Sequence, residues 1–398
     1  MSVRHASLFS QMLSLVSRCE FTQVVQELKA ERHCKGFSCW DQFVAMLFCQ
    51  LAQAKSLREI GQGLRCCLGK LHHLGLRDAP KRSTLSYANA HRSYEVYERT
   101  FYQLLARCRE IAPGKKFRFR NKLLSLDATV IDLCASLFDW AKFRQTKGAI
   151  KLHLLLDHDG YLPYFARITE GRVHEVNIAR TLEFPAGSVI AIDKGYYDFG
   201  LFRKWTKKGI WFVTRLKENA AFKVVEDRAI PQIGNVLRDQ SIRFIGFASA
   251  KKYPCVLRRV EVWDPEHEKS IVLLTNHLTF GPTTIARIYR ERWRIEIFFK
   301  ELKQHLRVKT FVGTSANALH IQIWTALIAM LMLKYLRFKS RLNWALSNLV
   351  ALVRWNLFAY RDLWAWIDNP YETPPRPPDA EQMVFAELSL NSIDRTIR

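Results

Sequence analysis

Leu123-Leu124-Ser125-Leu126-Asp127-Ala128-Thr129-Val130-Ile131 is the stretch on which the reading of this chain turns. Before it, apolar residues recur at helical spacing; from about residue 121 the period becomes that of strands. Alternation along a strand sends Leu124, Leu126, Ala128 and Val130 to one face and Ser125, Asp127 and Thr129 to the other. Burial opposes a charge in so apolar a run. Asp127 is therefore predicted to lie on a polar face of a central strand, where a cation can offset it. Taken alone, it reads equally as a hydrogen-bonded Asp at a strand edge.

Working outward, Lys151 to Leu156 and Tyr161 to Ile168 read as two further strands, with Asp157-His158-Asp159-Gly160 as the hairpin turn between them. Asp132, Asp157 and Asp159 rival Asp127, but the latter two look like turn residues. A helical segment from His174 to Leu182 leads to the buried strand Ser188-Val189-Ile190-Ala191-Ile192-Asp193. A helix over about 199–208 and a strand from Ile210 to Thr214 follow. Three strands, a helix, a strand, a helix and a strand predict an RNase H-like core, a mixed sheet with helices on its faces. Asp193 closes its strand and is followed by Lys194-Gly195-Tyr196-Tyr197; the glycine lets the backbone turn away and leaves room for a ligand. Two carboxylates from neighbouring strands can converge on a hard cation such as Mg²⁺. Lys151 and His153 are candidates for the same side of the sheet, with a structural role favoured for both.

Residues 217–278 carry short β-rich runs and read as an insertion. Helix returns at Thr283 and is expected to continue through Tyr289 to a buried run near residue 333. Along Tyr289-Arg290-Glu291-Arg292-Trp293-Arg294-Ile295-Glu296 and on to Lys303, ~100° per residue puts Tyr289, Arg292, Glu296 and Lys303 on one narrow face, with Lys300 beside them. An ordinary solvated helix with an Arg292–Glu296 pair is the alternative. Phe298 and Phe299 flank the stripe, however, which suits packing on the sheet. A carboxylate among phosphate-binding donors, facing two aspartates, fits a metal site serving a phosphodiester.

The domains expected are a helical amino-terminal part over 1–112, core over 113–216, insertion over 217–278, core again over 279–342, and a helical segment with a Pro-rich tail over 343–398. In the first part, Ser83 or Thr84 could cap a helix carrying Arg92, and two short helices, a basic turn and that third helix suit a helix-turn-helix unit. A plain helical bundle fits the pattern as well. The 398 residues carry 61 Lys and Arg against 37 Asp and Glu, a net +24, which predicts a polyanionic partner, nucleic acid before an anionic membrane. Nine scattered cysteines offer no disulfide framework, and Cys66, Cys67, His72 and His73 lack a zinc-ligand spacing. The start of the chain lacks the apolar core of a signal peptide, and Ile323 to Leu333 reads as a buried helix too short to span a bilayer. A cytoplasmic, nucleoid-associated protein without a membrane partner is expected.

Tyr289, Arg292, Glu296 and Lys303 match, position by position, the Tyr-x2-Arg-x3-Glu-x6-Lys signature of the DDE transposases of the insertion-sequence-4 group, and the chain resembles that family over roughly residues 120–335. Asp193-Lys194-Gly195-Tyr196 is similar to its second-Asp motif, and Leu123 to Asp127 to its first-Asp strand. The resemblance implies that Asp127, Asp193 and Glu296 are catalytic and hold two Mg²⁺ ions, with Mn²⁺ an alternative, and that Tyr289, Arg292, Lys300 and Lys303 bind DNA. It implies cut-and-paste transposition through a DNA hairpin, on double-stranded DNA of the terminal inverted repeats and the target, by a homodimer. Family members stack a flipped base on a Trp of the insertion; Trp263 is the best-placed candidate here, a core role being the commoner fate of such a residue. A DNA-binding repressor derivative without catalysis, or a nuclease of the same fold, are the alternatives.

Overall fold

The structure, a computed structural model, describes residues 6–372 except 33, 68, 115, 116, 118, 135–137, 139, 141, 145, 146, 233 and 309. The Pro-rich tail expected at the carboxyl end lies, from residue 373 on, outside the described residues. Two compact units result, one of Ala112–Lys300 and one assembled from the described residues of Met1–Ile111 and Glu301–Arg398.

The helical unit comprises α1 (Leu8–Leu13), α2 (Arg18–Glu27), α3 (Cys39–Leu51), α4 (Leu57–Arg65), α5 (Arg82–His91), α6 (Glu95–Glu110), α12 (Ala316–Lys339), α13 (Leu346–Asn356) and α14 (Leu363–Asp368), numbered along the whole chain. At its centre α12 is apolar all round, and such a helix must be covered on every side. It packs on α3, α5 and α6. By length and composition α12 could cross a membrane, yet 83% of its most apolar window is buried inside the protein, so it is a core helix. Its amide side chains are hydrogen-bonded: Gln322 donates to the carbonyls of Arg307 and Thr310, both at 2.7 Å, and Asn317 to those of Asn89 and Arg92. This need for a helical coat separates α12 from the sheet-bearing core, against the expectation that the core extends to residue 342. The segment after it is two helices, α13 and α14, and not one.

Two expectations for the amino-terminal part are corrected. Helix α5 starts at Arg82 with Lys81 at its N-cap and no side-chain cap, so Ser83 and Thr84 lie inside it and Arg92 ends it. The connection between α4 and α5 spans residues 66–81, far longer than the ~3–4 residues of a helix-turn-helix turn. The bundle alternative describes this unit.

In the mixed unit the strands are β1 (Leu123–Leu133), β2 (Lys142–Arg144), β3 (Lys147–Asp157), β4 (Leu162–Glu170), β5 (Val189–Ile192), β6 (Trp211–Arg215), β7 (Phe222–Asp227), β8 (Val236–Phe244), β9 (Leu257–Asp264) and β10 (Lys269–Thr275). The order β4-β3-β1-β5-β6 has antiparallel pairs up to β1 and parallel pairs from β1 to β6, the RNase H-like topology anticipated from the alternation of elements. The insertion is not a separate layer. β10 pairs with β6, and β9, β8 and β7 continue outward, so its strands cover what would otherwise be a bare edge of the core sheet. In the β3–β4 hairpin Gly160 and Tyr161 both take positive φ, 68° and 52°, as a twist-matched turn requires.

Strand alternation sorts the core into two faces. Leu124, Leu126, Ile190, Ile192 and Phe212 pack with Phe202 and Trp205 of α8 (Phe199–Lys207). Leu123, Val189, Ala191 and Val213 pack with Ile285, Ile288 and Tyr289 of α10 (Pro282–Glu291).

Candidate active site

Register and parity bring the two aspartates together. Leu126 of β1 is paired with Ile192 of β5, and one residue further along the same parallel register come Asp127 and Asp193. Asp127 shares the parity of Leu123, and Asp193 that of Val189 and Ala191, so both belong to the face that α10 covers. Lys151 and His153 do not. They pair with Val130 and Ala128, on the opposite face. There Lys151 meets Glu175 at 3.1 Å, and the buried His153 bonds Thr169 at 2.9 Å, which are structural contacts. Asp157 and Asp159 hold Lys122 at 2.5 and 2.9 Å beside the hairpin turn.

The third carboxylate arrives from a helix that is broken, not continuous. α10 ends at Glu291 and α11 (Trp293–His305) begins two residues on, with Arg292 at the junction. The Arg292 N–H bonds the Tyr289 carbonyl and the Ile295 N–H bonds the Arg292 carbonyl, each at 3.1 Å, a three-residue spacing tighter than an α-turn. The uniform stripe from residue 289 to 303 therefore does not survive. Instead, Arg292 turns inward, 3% exposed, and its guanidinium reaches Asp127 Oδ2 at 3.3 Å and Glu296 Oε1 at 2.9 Å. Its cation lies 5.5 Å from the Tyr289 ring centre and 5.2 Å from that of Trp293. Tyr161 and Arg294 both reach Glu291, at 3.2 and 3.4 Å, and so tie the junction to the β3–β4 turn.

A residue that the sequence reading missed completes the arrangement. Arg215, at the end of β6 and on the parity of Val213, bonds Asp193 Oδ1 at 3.0 Å. The signal was a cation ending an apolar strand in the same way that Asp193 ends its neighbour.

The electrostatics follow. Burial raises the Asp127 carboxyl to about 6, against the Ala128 N–H and Arg292, while Glu296 and Asp193 add repulsion. Burial also opposes the Asp193 charge, but the Arg215 hydrogen bond, the Lys194 N–H and Arg292 outweigh it and hold its carboxyl below the usual range. Asp127, Asp193 and Glu296 offer only oxygen donors, of the kind that hard divalent cations take, although as they stand their oxygens do not all lie within 4.8 Å of one another. The donor chemistry fits such an ion.

The remaining predicted residues divide. Tyr289 and Arg292 are buried, whereas Lys300 on α11 is exposed; Lys303, further along that helix, belongs to the helical unit and is half-buried. Gly195 sits in a tight turn over Lys194–Tyr196. A Cβ there would make only ordinary contact, 3.4 Å, with the flexible end of Glu175, so neither space nor backbone conformation requires the glycine. Trp263, at 41% exposure, is not a core residue. It lines a cavity of about 670 Å³ with Tyr289, Arg290 and Trp293, between the β9–β10 hairpin and α10. A second groove, about 1000 Å³, runs beside Asp193 and carries Lys194, Arg215, Lys217 and Lys269 against Glu218. Among the described residues, Cys66, Cys67, His72 and His73 form no metal-ligand cluster; Asp264, Glu266 and His267 form a small one on the surface.

Residues 118–332 match the family described as a transposase DDE domain, and residues 4–77 match a domain of unknown function, DUF4372. The chain is 32% identical over 316 residues to a putative transposase, y4zB, of Sinorhizobium fredii, covering 77% of this chain and 87% of the relative. It is 24% identical over 348 residues to a probable transposase for insertion sequence element IS5377 of Geobacillus stearothermophilus, covering 86% and 89%. It is 26% identical over 261 residues to a putative transposase for insertion sequence element IS4SA of Synechocystis, covering 64% and 71%. Among solved structures, a piggyBac transposase synaptic complex with hairpin DNA aligns with a TM-score of 0.42 at 11% identity, covering 96% of this chain and 83% of that one.

Proposed function

This chain belongs to the DDE transposase family, and from that premise we propose that Asp127, Asp193 and Glu296 are its catalytic carboxylates. It is an insertion-sequence transposase, an enzyme that cuts DNA and transfers strands and that depends on divalent metal. We further propose membership of the insertion-sequence-4 group, with two Mg²⁺ ions at the three carboxylates and Mn²⁺ as an alternative. When bound, such ions supply Lewis acidity at the attacking and leaving oxygens of a phosphodiester. The observation that carries the assignment is the convergence of carboxylates from β1, from the end of β5 and from α11 on one face of the sheet, two of them joined by the buried Arg292.

The roles of this chain's other residues follow from their surroundings. Arg292 and Arg215 are positioning residues: each holds a carboxylate in a fixed orientation, and Tyr289 and Trp293 hold Arg292. With Arg292 enclosed, phosphate contact falls to Lys300 and Lys303 on α11 and to Lys194, Lys217 and Lys269 along the groove beside Asp193. Trp263, exposed beside its cavity, is proposed as the stacking surface for an unpaired base, worth ~1–3 kcal/mol. That stacking suits a hairpin intermediate, which bends one strand sharply. The helical unit is proposed to bind the terminal inverted repeats, and a homodimer to pair the two ends, in the bacterial cytoplasm at the nucleoid.

The test is cleavage of a duplex carrying the flanking inverted repeat with Mg²⁺, comparing wild type with Glu296→Gln. Hairpinned ends from the wild type, and a loss of at least ~10³-fold in the variant, are expected. Nicking by Glu296→Gln at the wild-type rate would remove Glu296 from the site. Binding without cleavage by either protein would leave a DNA-binding derivative.

A further inference from the structure

We infer that α4 and the start of α5 form a grip for the sugar–phosphate backbone of duplex DNA, through Arg58, Arg65, Lys81 and Arg82. On α4, Leu57, Ile60 and Leu64 are buried, which leaves Arg58, Gln62 and Arg65, at i, i+4 and i+7, on the outer face. Lys81 and Arg82 open α5. Pro80, buried just before them, sets its carbonyl oxygen only 2.7 Å from where a Cβ on Gly61 would stand. The backbones therefore touch, and only glycine at position 61 allows it. That contact brings the two pairs of cations around one surface cavity of about 240 Å³.

Charge makes the case for the partner. All four side chains are exposed, and among the described residues none makes a hydrogen bond or ion pair. The acids nearby do not neutralise them: Glu59 is turned back to accept from the Lys55 N–H at 2.7 Å, and Asp78 forms no ion pair among the described residues. Elsewhere in the same unit some surface arginines are paired, Arg99 with Glu27 at 2.9 Å and Arg107 with Glu20 at 2.8 Å, and these serve as the comparison below. Four unpaired cations held together repel one another unless an anion joins them, and a row of phosphates is the anion that a DNA enzyme meets. The surface offers little besides charge for reading bases, so it should grip any duplex. The inference rests on the reading of the chain as a DNA enzyme and adds a location for DNA on the helical unit.

The experiment measures binding of the full-length protein to a duplex carrying the inverted repeat and to an unrelated duplex, over a range of salt concentrations. Arg58→Gln/Arg65→Gln is compared with Arg99→Gln/Arg107→Gln, which removes the same charge from the same unit. The first pair is expected to weaken binding to both duplexes at least tenfold at low salt. It should also flatten the salt dependence of log K by ~0.9 for each phosphate no longer neutralised, about two in all. The second pair should change neither, and Arg58→Lys/Arg65→Lys should restore binding. Equal losses from the two pairs, or an unchanged salt slope in the first, would overturn the grip. A loss confined to the inverted repeat would overturn its backbone character. Unfolding midpoints of the variants guard against misfolding. Binding is measured without Mg²⁺, where no cleavage occurs, so a failure of the proposed chemistry leaves this binding result readable.

Discussion

Among the cations buried in the described residues, Arg258 is paired with Asp239 inside the insertion, while Lys334 and Arg292 meet unlike surroundings. Lys334, within α12, is 7% exposed in an apolar helical core, and burial pushes its pKa down to about 8 although Glu301 pulls the other way. Arg292, 3% exposed at the α10–α11 junction, is met by two carboxylates and two aromatic rings. Burial disfavours charge in both places. At Arg292 the fold answers with two carboxylates, which ties the cation to the proposed chemistry; at Lys334 Glu301 offsets burial only in part. The comparison teaches that a buried cation is informative when the groups around it were brought there from other elements.

The sharpest way to break the contrast is Arg292→Ala. It should lower cleavage at least ~10²-fold and raise the Mg²⁺ concentration needed for half-maximal rate, because Asp127 and Glu296 lose their common anchor. Arg292→Lys should recover only part of the rate, since an ammonium cannot make the forked contact. A variant that cleaves normally at low Mg²⁺ would reduce Arg292 to a packing residue.

Lys334→Met is expected to do the reverse, raising stability by as much as ~3 kcal/mol at pH 7 in urea unfolding without loss of cleavage. The folded pKa lies below the ordinary 10.5, so the protonated side chain destabilises the fold fully below about pH 8. The advantage of Met should shrink between pH 8 and 10.5 and vanish above it. A gain that did not change with pH would come from packing alone.

The smallest effect is expected from pH at Asp127. Its carboxyl is raised to about 6, and a protonated carboxyl is a poor metal ligand. Cleavage at limiting Mg²⁺ should therefore fall up to ~tenfold per unit as pH drops through about 6, and excess Mg²⁺ should move that midpoint lower. A flat profile down to pH 5 would mean that Asp127 stays ionised, with its neighbours offsetting burial more fully.

Much of this was legible in the chain itself. The switch of period near residue 121 marks the strands, because a half-buried strand alternates and a helix cannot. The same alternation put Asp127 apart from Leu124 and Leu126, and the apolar run closed by Asp193 marked the second carboxylate. The break at Arg292 was not legible, since neither Pro nor Gly announces a single tightened turn. Nor was the enclosure of Tyr289 and Arg292, whose types suggested exposed phosphate contacts. Trp263 read as a core residue by type, yet its neighbours leave it exposed.

The sequence by itself determined the order of strands and helices, the two carboxylate-ended strands, the cationic balance and the spacing of Tyr289, Arg292, Glu296 and Lys303, because local periodicity and residue chemistry are properties of neighbouring positions. Only the tertiary structure decided that the insertion extends the core sheet through β10 and β6. It also decided that α12 belongs with the amino-terminal helices, that Arg215 meets Asp193 and that Arg292 joins Asp127 to Glu296. Those outcomes depend on which distant surfaces bury one another, and a pairing between residues 165 positions apart leaves no mark in the pattern around either.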